Sequence, residues 1–161
     1  SRAVGLSPAA LYAHFTSKEE LAWELFQDIN VMAAEGLRAR LDAIDSAHER
    51  IRAIVEHVFA WTMAHRHEAI FLFLIRHSEF FSRERQLEAD GRAELVLLFL
   101  EAVELGIRNG EVPPADIRAL QKATGIPLVY IRDWLEDWDT RDLLDYTEDA
   151  TRMCARALGM Q

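Results

Sequence analysis

The chain has 161 residues, of which half are apolar and 28% are charged, and its formal net charge at pH 7 is −9. This composition is typical of a globular protein with a core of its own. No uninterrupted apolar stretch approaches the roughly 18 residues that a membrane-spanning helix needs. A single cysteine, Cys154, excludes an internal disulfide and fits a reducing cytoplasm. The acidic balance does not by itself favour a polyanionic partner, because such partners attract basic surfaces.

The first predicted helix opens at Ser7, whose hydroxyl can accept a hydrogen bond from an orphan amide, and Pro8 suits its first position. Gly5 fits the tight turn of a helix-turn-helix. Leu11 and Phe15 fall four residues apart and would anchor the helix to a small core. The remaining surface is small, polar and aromatic, and consists of Ala9, Ala10, Tyr12, Ala13 and His14. Such a surface can enter a major groove closely.

The later elements are predicted to be helices, because apolar residues recur at spacings of three and four and no strand-like alternation occurs. Ser17 and Glu20 form a capping box that starts a long helix, predicted to end near Ala43. Ser46 caps the next helix, which is broadly apolar and is expected to be central. A shorter helix is predicted over residues 67–81.

Three further helices are predicted in the second half of the chain. One covers about residues 84–108 and ends at Gly110, the usual stop residue. The next follows Pro114 and is expected to kink or break near Pro127, which removes an amide donor. The last is predicted to begin at Thr140 and to end before a glycine.

The spacing L-Y-x-H-F-x-S-K-E-E-L over residues 11–21 resembles the end of the DNA-reading region of the TetR family of bacterial regulators. The resemblance implies an all-α fold, TetR-like, in which a helix-turn-helix remnant is joined by a long helix to a helical ligand-binding and dimerisation domain. It places the C-terminal part of the DNA-binding domain at residues 1–27 and the second domain at residues 28–161. The family's domain begins with a helix and most of a second one before Ser1. We therefore expect that the sequence is a fragment or does not cover the start of the DNA-binding domain. The alternative is that the protein has lost DNA binding.

Six residues are expected to contact DNA: Ser7, Pro8, Ala9, Tyr12, His14 and Lys18. The side chains of Tyr12, His14 and Lys18 can donate hydrogen bonds to phosphates, and Lys18 lies at a helix N-terminus that favours anions. The base-facing roles of Pro8, Ala9 and Tyr12 follow from the resemblance. The alternative is that Tyr12 and His14 are ordinary surface residues.

A ligand pocket is expected among the middle helices, as the resemblance implies, for a small and largely apolar effector. Its candidate residues are aromatic, aliphatic and histidine side chains, namely His57, Trp61, His65, Phe71, Ile75 and Phe99. Aromatic walls with a few polar groups are typical of such pockets. Side chains at this spacing also form solid cores, which is the alternative.

The last two helices carry more apolar surface than one core needs, which predicts a homodimer contact and agrees with the family's dimer mode. The expected interface residues are Ile131, Trp134, Leu135, Trp138, Met153 and Ala157. The alternative is that the aromatic stripe of Tyr130, Trp134 and Trp138 packs within its own subunit.

The sequence contains no H-E-x-x-H, no Glu-x-x-His and no Cys/His cluster, so no metal site is expected. No nucleophile elbow, phosphate loop or dinucleotide fingerprint occurs, so neither an enzyme nor a cofactor is expected.

The sequence therefore predicts a cytoplasmic TetR-like transcriptional regulator. We expect a homodimeric repressor that a small molecule releases from a palindromic operator in double-stranded DNA, without membrane contact. Two alternatives remain: a helical ligand-binding or interaction module that no longer binds DNA, and a helical-bundle enzyme.

Overall fold

The computed structural model describes residues 17–74, 81–86, 93–114 and 116–160, and all regular structure in these ranges is helical. The first half contains α1 (Lys18–Ala34), α2 (Leu37–Asp42), α3 (Ala47–Ala64), α4 (Arg66–Ala69) and a π-helical turn (Ile70–Leu74). The second half contains α5 (Glu94–Asn109), α6 (Ile117–Leu135), a 3₁₀ turn (Leu143–Tyr146) and α7 (Thr147–Ala157). The predicted all-α fold is confirmed.

Helix α3 is the centre of the molecule. Ser46 caps it, as predicted, by accepting a hydrogen bond from the Glu49 amide. The side chains of Ile51, Val55 and Phe59 are completely covered. Helices α5 and α7 both pack against α3, and α6 packs against α7. The free energy of this burial therefore holds the second half of the chain to the first.

The long helix predicted to run to Ala43 is interrupted. It begins as predicted, with the Ser17 hydroxyl accepting from the Glu20 amide at 3.1 Å. It ends at Ala34, because Gly36 adopts a left-handed φ of +74° that a regular helix cannot contain. A second helix, α2, then starts at Leu37. The helix that joins the two predicted domains is thus 17 residues long.

The helix predicted over residues 67–81 is α4 followed at once by the π-helical turn, and residues 75–80 lie outside the described ranges. The helix predicted from about residue 84 begins instead at Glu94 and stops, as predicted, at Gly110, whose φ is +77°. Residues 83–86 form a separate helical turn. The last helix begins at Thr147 rather than Thr140, because Asp142 caps an intervening 3₁₀ turn.

Pro127 does not break α6, although it has no amide to donate to the carbonyl of Ala123. The thiol of Cys154 on α7 donates to that carbonyl at 3.3 Å. Burial raises the pKa of this thiol to about 12, so the proton that makes the hydrogen bond is retained. A donor from a neighbouring helix thus replaces the missing backbone donor.

The loop after α5 holds the N-terminus of α3 through Glu111. This carboxylate accepts hydrogen bonds from the Ala47 amide at 2.9 Å and from the Ser46 hydroxyl at 3.0 Å. Burial acts to raise the pKa of Glu111, but hydrogen bonds from Ala47, Asn109 and Ser46 outweigh it and lower the pKa below its ordinary 4.5. A negative charge at a helix N-terminus is also favourable.

Replacing Glu111 with Gln should lower the free energy of unfolding at pH 7 by about 1 kcal/mol, because the charged cap is lost. Since the folded-state pKa lies below the unfolded-state value, the carboxylate stabilises the fold above pH 4.5 and loses this effect as the pH falls through the folded-state pKa. The difference between wild type and variant in urea unfolding should therefore shrink below pH 4.5. Glu104→Gln, at an exposed pair 4.0 Å from Arg108, is the control and should show little difference at either pH. A pH-independent difference would contradict the assigned role.

Candidate functional site

One of the six predicted DNA-binding residues, Lys18, lies in the described part of the chain. Ser7, Pro8, Ala9, Tyr12 and His14 lie outside it. Lys18 is exposed and is the first residue of α1, directly after the Ser17 cap. Its ammonium group therefore lies beside a helix N-terminus, where amide dipoles and a cation can act together on a phosphate.

The start of α1 is fastened to residues 81–86 by polar contacts. The Glu19 carboxylate accepts from the Ser82 amide at 2.9 Å and lies 3.9 Å from the Arg85 guanidinium. The hydrogen bonds from Ser82, reinforced by Arg85, lower the pKa of Glu19. Arg85 also lies over the ring of Trp23, 5.4 Å from its centroid.

An aromatic cluster lies directly beneath these contacts. Phe81 meets Trp23 and Phe26 of α1 edge-on, with ring centroids 5.5 and 5.7 Å apart. Phe26 and Phe81 are buried and form a core separate from the main one. Phe71 and Leu72 of the π-helical turn pack against both cores. This turn therefore connects α1 with the interior around α3.

The structure gives different roles to the predicted ligand residues. Phe99 is buried in the main core and Phe71 belongs to the connecting turn, while Ile75 lies outside the described residues. A ring nitrogen of His57, Nε2, lies 2.9 Å from the carbonyl oxygen of Ala33 in the last turn of α1. His57 thus ties α3 to α1, and its imidazole is partly engaged within the protein.

Trp61 and His65 do lie together, as their spacing predicts. Their ring centroids are 5.3 Å apart, and Phe73 of the π-helical turn meets Trp61 edge-on at 6.3 Å. We call Trp61, Thr62, His65 and Phe73 the Trp61 cluster. It lies at the C-terminal end of α3, where the chain passes through α4 into the π-helical turn.

Two polar atoms of the Trp61 cluster are buried without a hydrogen-bond partner in the described part of the chain. They are the indole nitrogen Nε1 of Trp61 and the hydroxyl oxygen Oγ1 of Thr62, which is 0% exposed. Leaving such a group unsatisfied costs about 1–3 kcal/mol, so buried polar groups are almost always paired. The indole can only donate, whereas the hydroxyl can donate or accept. Each of them is suited to a hydrogen-bond acceptor held among apolar side chains.

Thr62 is not among the site residues predicted from the sequence. Its spacing on the apolar side of α3 gives no sign that the hydroxyl lacks a partner. Only the packing around α3 reveals this, since a threonine hydroxyl in a helix commonly bonds to the carbonyl four residues earlier. Thr151 makes that bond to Thr147, at 2.7 Å.

The predicted dimer residues divide between the core and the surface. Ile131 and Leu135 are 0% and 4% exposed within the single chain, so they have almost no area left for a partner and belong to the core. Trp134 is half-buried beneath the guanidinium of Arg66, 4.8 Å from its ring centroid. Trp138 is 76% exposed beyond the end of α6, and Met153 is 44% exposed on α7.

An exposed apolar groove lies between α6 and α7, on a different face from the aromatic stripe. It has a volume of about 500 Å³ and is lined by Lys122, Gly125, Ile126, Val129, Met153, Arg156 and Ala157. We call this surface the α6–α7 groove. Its α6 members recur at spacings of three and four, and Val129 is 60% exposed. That spacing was visible in the sequence, but a lysine and a glycine within it made the face less apolar than the stripe.

The fold is similar to that of a solved bacterial protein. The transcriptional regulator FadR from Bacillus subtilis, in complex with stearoyl-CoA, matches with a TM-score of 0.82 and 17% sequence identity. The match covers 97% of this chain and 84% of FadR. No family model and no curated protein sequence matches the chain. At this identity the similarity concerns the fold.

Two features are absent from the described residues. No helix there is long and apolar enough to cross a membrane. No group of three or more His, Cys, Asp or Glu side chains in those ranges is arranged to hold a metal ion.

Replacing Thr62 with the isosteric Val should raise the free energy of unfolding by about 1 kcal/mol, because the unsatisfied hydroxyl is removed while the volume is kept. Urea denaturation of the two proteins measures the change. The matched control is Thr151→Val, which removes a satisfied buried hydroxyl and should lower stability. Destabilisation by both substitutions would mean that the Thr62 hydroxyl is already paired in the free protein.

Proposed function

We propose that the chain is a TetR-like, ligand-responsive transcriptional regulator that binds DNA as a homodimer and acts as a repressor. The observation that carries the proposal is the fold similarity to a transcriptional regulator over 97% of the chain. The resemblance of residues 11–21 to the DNA-reading region of TetR proteins supports it independently. In this proposal residues 1–27 belong to the DNA-binding domain and residues 28–161 to the ligand-binding and dimerisation domain.

Helix α1 is the element through which the two domains would communicate. The proposed boundary at residue 27 falls inside α1. Lys18 at the start of this helix and Ala33 near its end therefore move together as parts of one rigid helix. The start carries the proposed phosphate contact, and the predicted reading helix with Ser7, Pro8, Ala9, Tyr12 and His14 would precede it. A displacement of α1 would change the distance between the two DNA-binding domains of the dimer. That distance must match the spacing of successive major grooves.

The route from the Trp61 cluster to α1 consists of contacts that the structure describes. Phe73 touches Trp61, and its neighbours Phe71 and Leu72 pack against the core that contains Phe26 of α1. A ligand that moved the π-helical turn would therefore move the packing beneath α1. The ligand acts as a switch only if it binds the displaced form more tightly than the DNA-bound form.

The effector we propose is a largely apolar molecule with a hydrogen-bond acceptor. The apolar part would pack against the aromatic rings of the Trp61 cluster, and the acceptor would satisfy Trp61 Nε1 or Thr62 Oγ1. A long-chain acyl thioester has both features. Stearoyl-CoA is the first compound to test, since FadR was solved with it.

The full-length protein should select a palindromic site from a random duplex library and bind it with a strong salt dependence. Stearoyl-CoA should weaken this binding, and Thr62→Val should weaken the response to the ligand more than it weakens DNA binding. Fluorescence anisotropy with a labelled site measures both. A folded protein without salt-sensitive affinity for any duplex would contradict the proposal and favour a ligand-binding module. DNA binding that stearoyl-CoA leaves unchanged would contradict only the effector class.

The Lys18→Ala substitution provides a finer measurement within the same assay. It should weaken DNA binding on all sequences alike and reduce the slope of log affinity against log salt by about 1 per subunit. Arg108→Ala removes an exposed cation at the end of α5 and is the matched control, expected to have no effect. An unchanged slope for Lys18→Ala would remove Lys18 from the interface.

We propose that the homodimer forms through the α6–α7 groove. Two copies related by a two-fold axis would bring the same apolar face together, as in other symmetric helix-pair contacts. The proposed interface retains Met153 and Ala157 from the sequence prediction and adds Ile126 and Val129. Exposed apolar side chains at the groove favour burial, since monomers rarely leave such patches uncovered.

The Val129→Arg substitution should shift the protein from dimer to monomer in analytical ultracentrifugation, because two buried guanidinium groups would face each other across the axis. Val31→Arg, at an equally exposed valine on α1, is the matched control and should leave the dimer intact. A third variant, Trp138→Arg, distinguishes between the α6–α7 groove and the end of α6 as the dimer interface. Dissociation by Trp138→Arg but not by Val129→Arg would move the interface to the end of α6.

A further inference from the structure

A smaller cavity lies at the C-terminal end of α6 and shares no lining residue with the Trp61 cluster or the α6–α7 groove. Its volume is about 170 Å³. Its walls come from the last turns of α6, the following loop and the 3₁₀ turn. The residues that matter are aromatic or charged: Tyr130, Asp133, Trp134, Asp139, Arg141 and Tyr146. We call it the α6-end cavity.

Three aromatic rings form the walls of this cavity. Tyr130 and Tyr146 lie 5.2 Å apart, with an angle of 39° between their planes. The chain already places its own cations against two of the rings. Arg141 lies over Tyr146 at 4.6 Å and Arg66 lies over Trp134 at 4.8 Å. One face of Tyr146 and one face of Trp134 are thus already occupied by a cation of the chain itself, as expected from the attraction of aromatic faces for positive charge.

The charges around the cavity leave one carboxylate uncompensated. The Asp139 carboxylate accepts from Arg141 at 2.8 Å and from the Tyr146 hydroxyl, and these hydrogen bonds lower the pKa of Asp139 well below its ordinary value. Arg66 is held by Asp137 at 2.9 Å. The half-buried side chain of Asp133, by contrast, makes no hydrogen bond or ion pair with any residue in the described ranges.

Two further features favour a cation at this place. The cavity lies at the C-terminal turn of α6, where the helix dipole presents partial negative charge. The surrounding chain is also acidic, with Glu136, Asp142 and Asp145 close in sequence. Such a concentration of one sign of charge raises the local concentration of oppositely charged ligands.

We propose that the α6-end cavity binds a small organic cation, with a quaternary ammonium group between the tyrosine and tryptophan rings and Asp133 as its counter-charge. The size agrees, since a cavity of about 150 Å³ holds a benzene-sized molecule and a trimethylammonium group is similar in bulk. Aromatic rings with a carboxylate recognise quaternary ammonium groups, whereas they offer a metal ion too few ligand atoms. The proposal does not depend on DNA binding or on the Trp61 cluster.

The test uses choline and its uncharged carbon isostere, 3,3-dimethyl-1-butanol, titrated into the full-length protein. Isothermal titration calorimetry should show millimolar or tighter binding of choline and at least tenfold weaker binding of the isostere, because only charge distinguishes the two compounds. Added sodium chloride should weaken choline binding moderately. Equal affinities, or no choline binding at millimolar concentrations, would overturn the proposal.

Substitution of Asp133 locates the site. Asp133→Asn should weaken choline binding at least fivefold and leave the fold intact, because the contacts that Asp133 makes are through its backbone carbonyl, which accepts from the Trp138 amide at 2.9 Å. Glu136→Gln removes an exposed carboxylate three residues away and is the matched control, expected to leave binding unchanged. Circular dichroism verifies that both variants are folded. Equal effects of the two substitutions would show only a general acidic attraction and would overturn the assigned site.

Discussion

The burial of α3 is the constraint on which the rest of the structure depends. This helix is covered by α2, α5, α7 and the 3₁₀ turn, so its side chains have little access to water. Apolar residues such as Phe59 gain free energy from this position, whereas a polar atom loses its hydration there. Among the described residues, Trp61 Nε1 and Thr62 Oγ1 have no hydrogen-bond partner, so their burial in α3 lowers the stability of the fold. In the proposed regulator, a ligand that completes these hydrogen bonds would recover that free energy.

The second organising feature is the separation of the apolar interior into two cores. The main core surrounds α3, and the smaller one fastens the first turns of α1 to Phe81. In the described part of the chain they are linked by α1, which contributes Phe26 to the smaller core and Ile29 to the main one, and by Phe71 and Leu72 of the π-helical turn, which pack against both. Such turns widen the backbone locally and are frequent at functional sites. In the proposed switch, a shift of this irregular segment would change the packing of both cores, including the part that lies beneath α1.

Local signals in the sequence predicted local structure well, and long-range contacts limited the rest. The caps at Ser17 and Ser46 and the stop at Gly110 were predictable, because each depends on residues within three or four positions. Of the kink or break predicted at Pro127, the break does not occur, because Cys154 of another helix supplies the missing donor. The aromatic stripe likewise predicted an interface, but a distant arginine covers one of its rings. The unpaired atoms of the Trp61 cluster could not be predicted, since pairing is a property of three-dimensional packing.

The hydrogen bond between Cys154 and α6 has a consequence for the chemical reactivity of the protein. The only thiol in the chain is fully enclosed and firmly protonated, so oxidants and alkylating reagents meet neither an accessible sulfur nor a thiolate. Modification requires α6 and α7 to part at Ala123. The rate at which a thiol reagent labels the native protein would therefore measure how often these two helices separate, without any engineered probe.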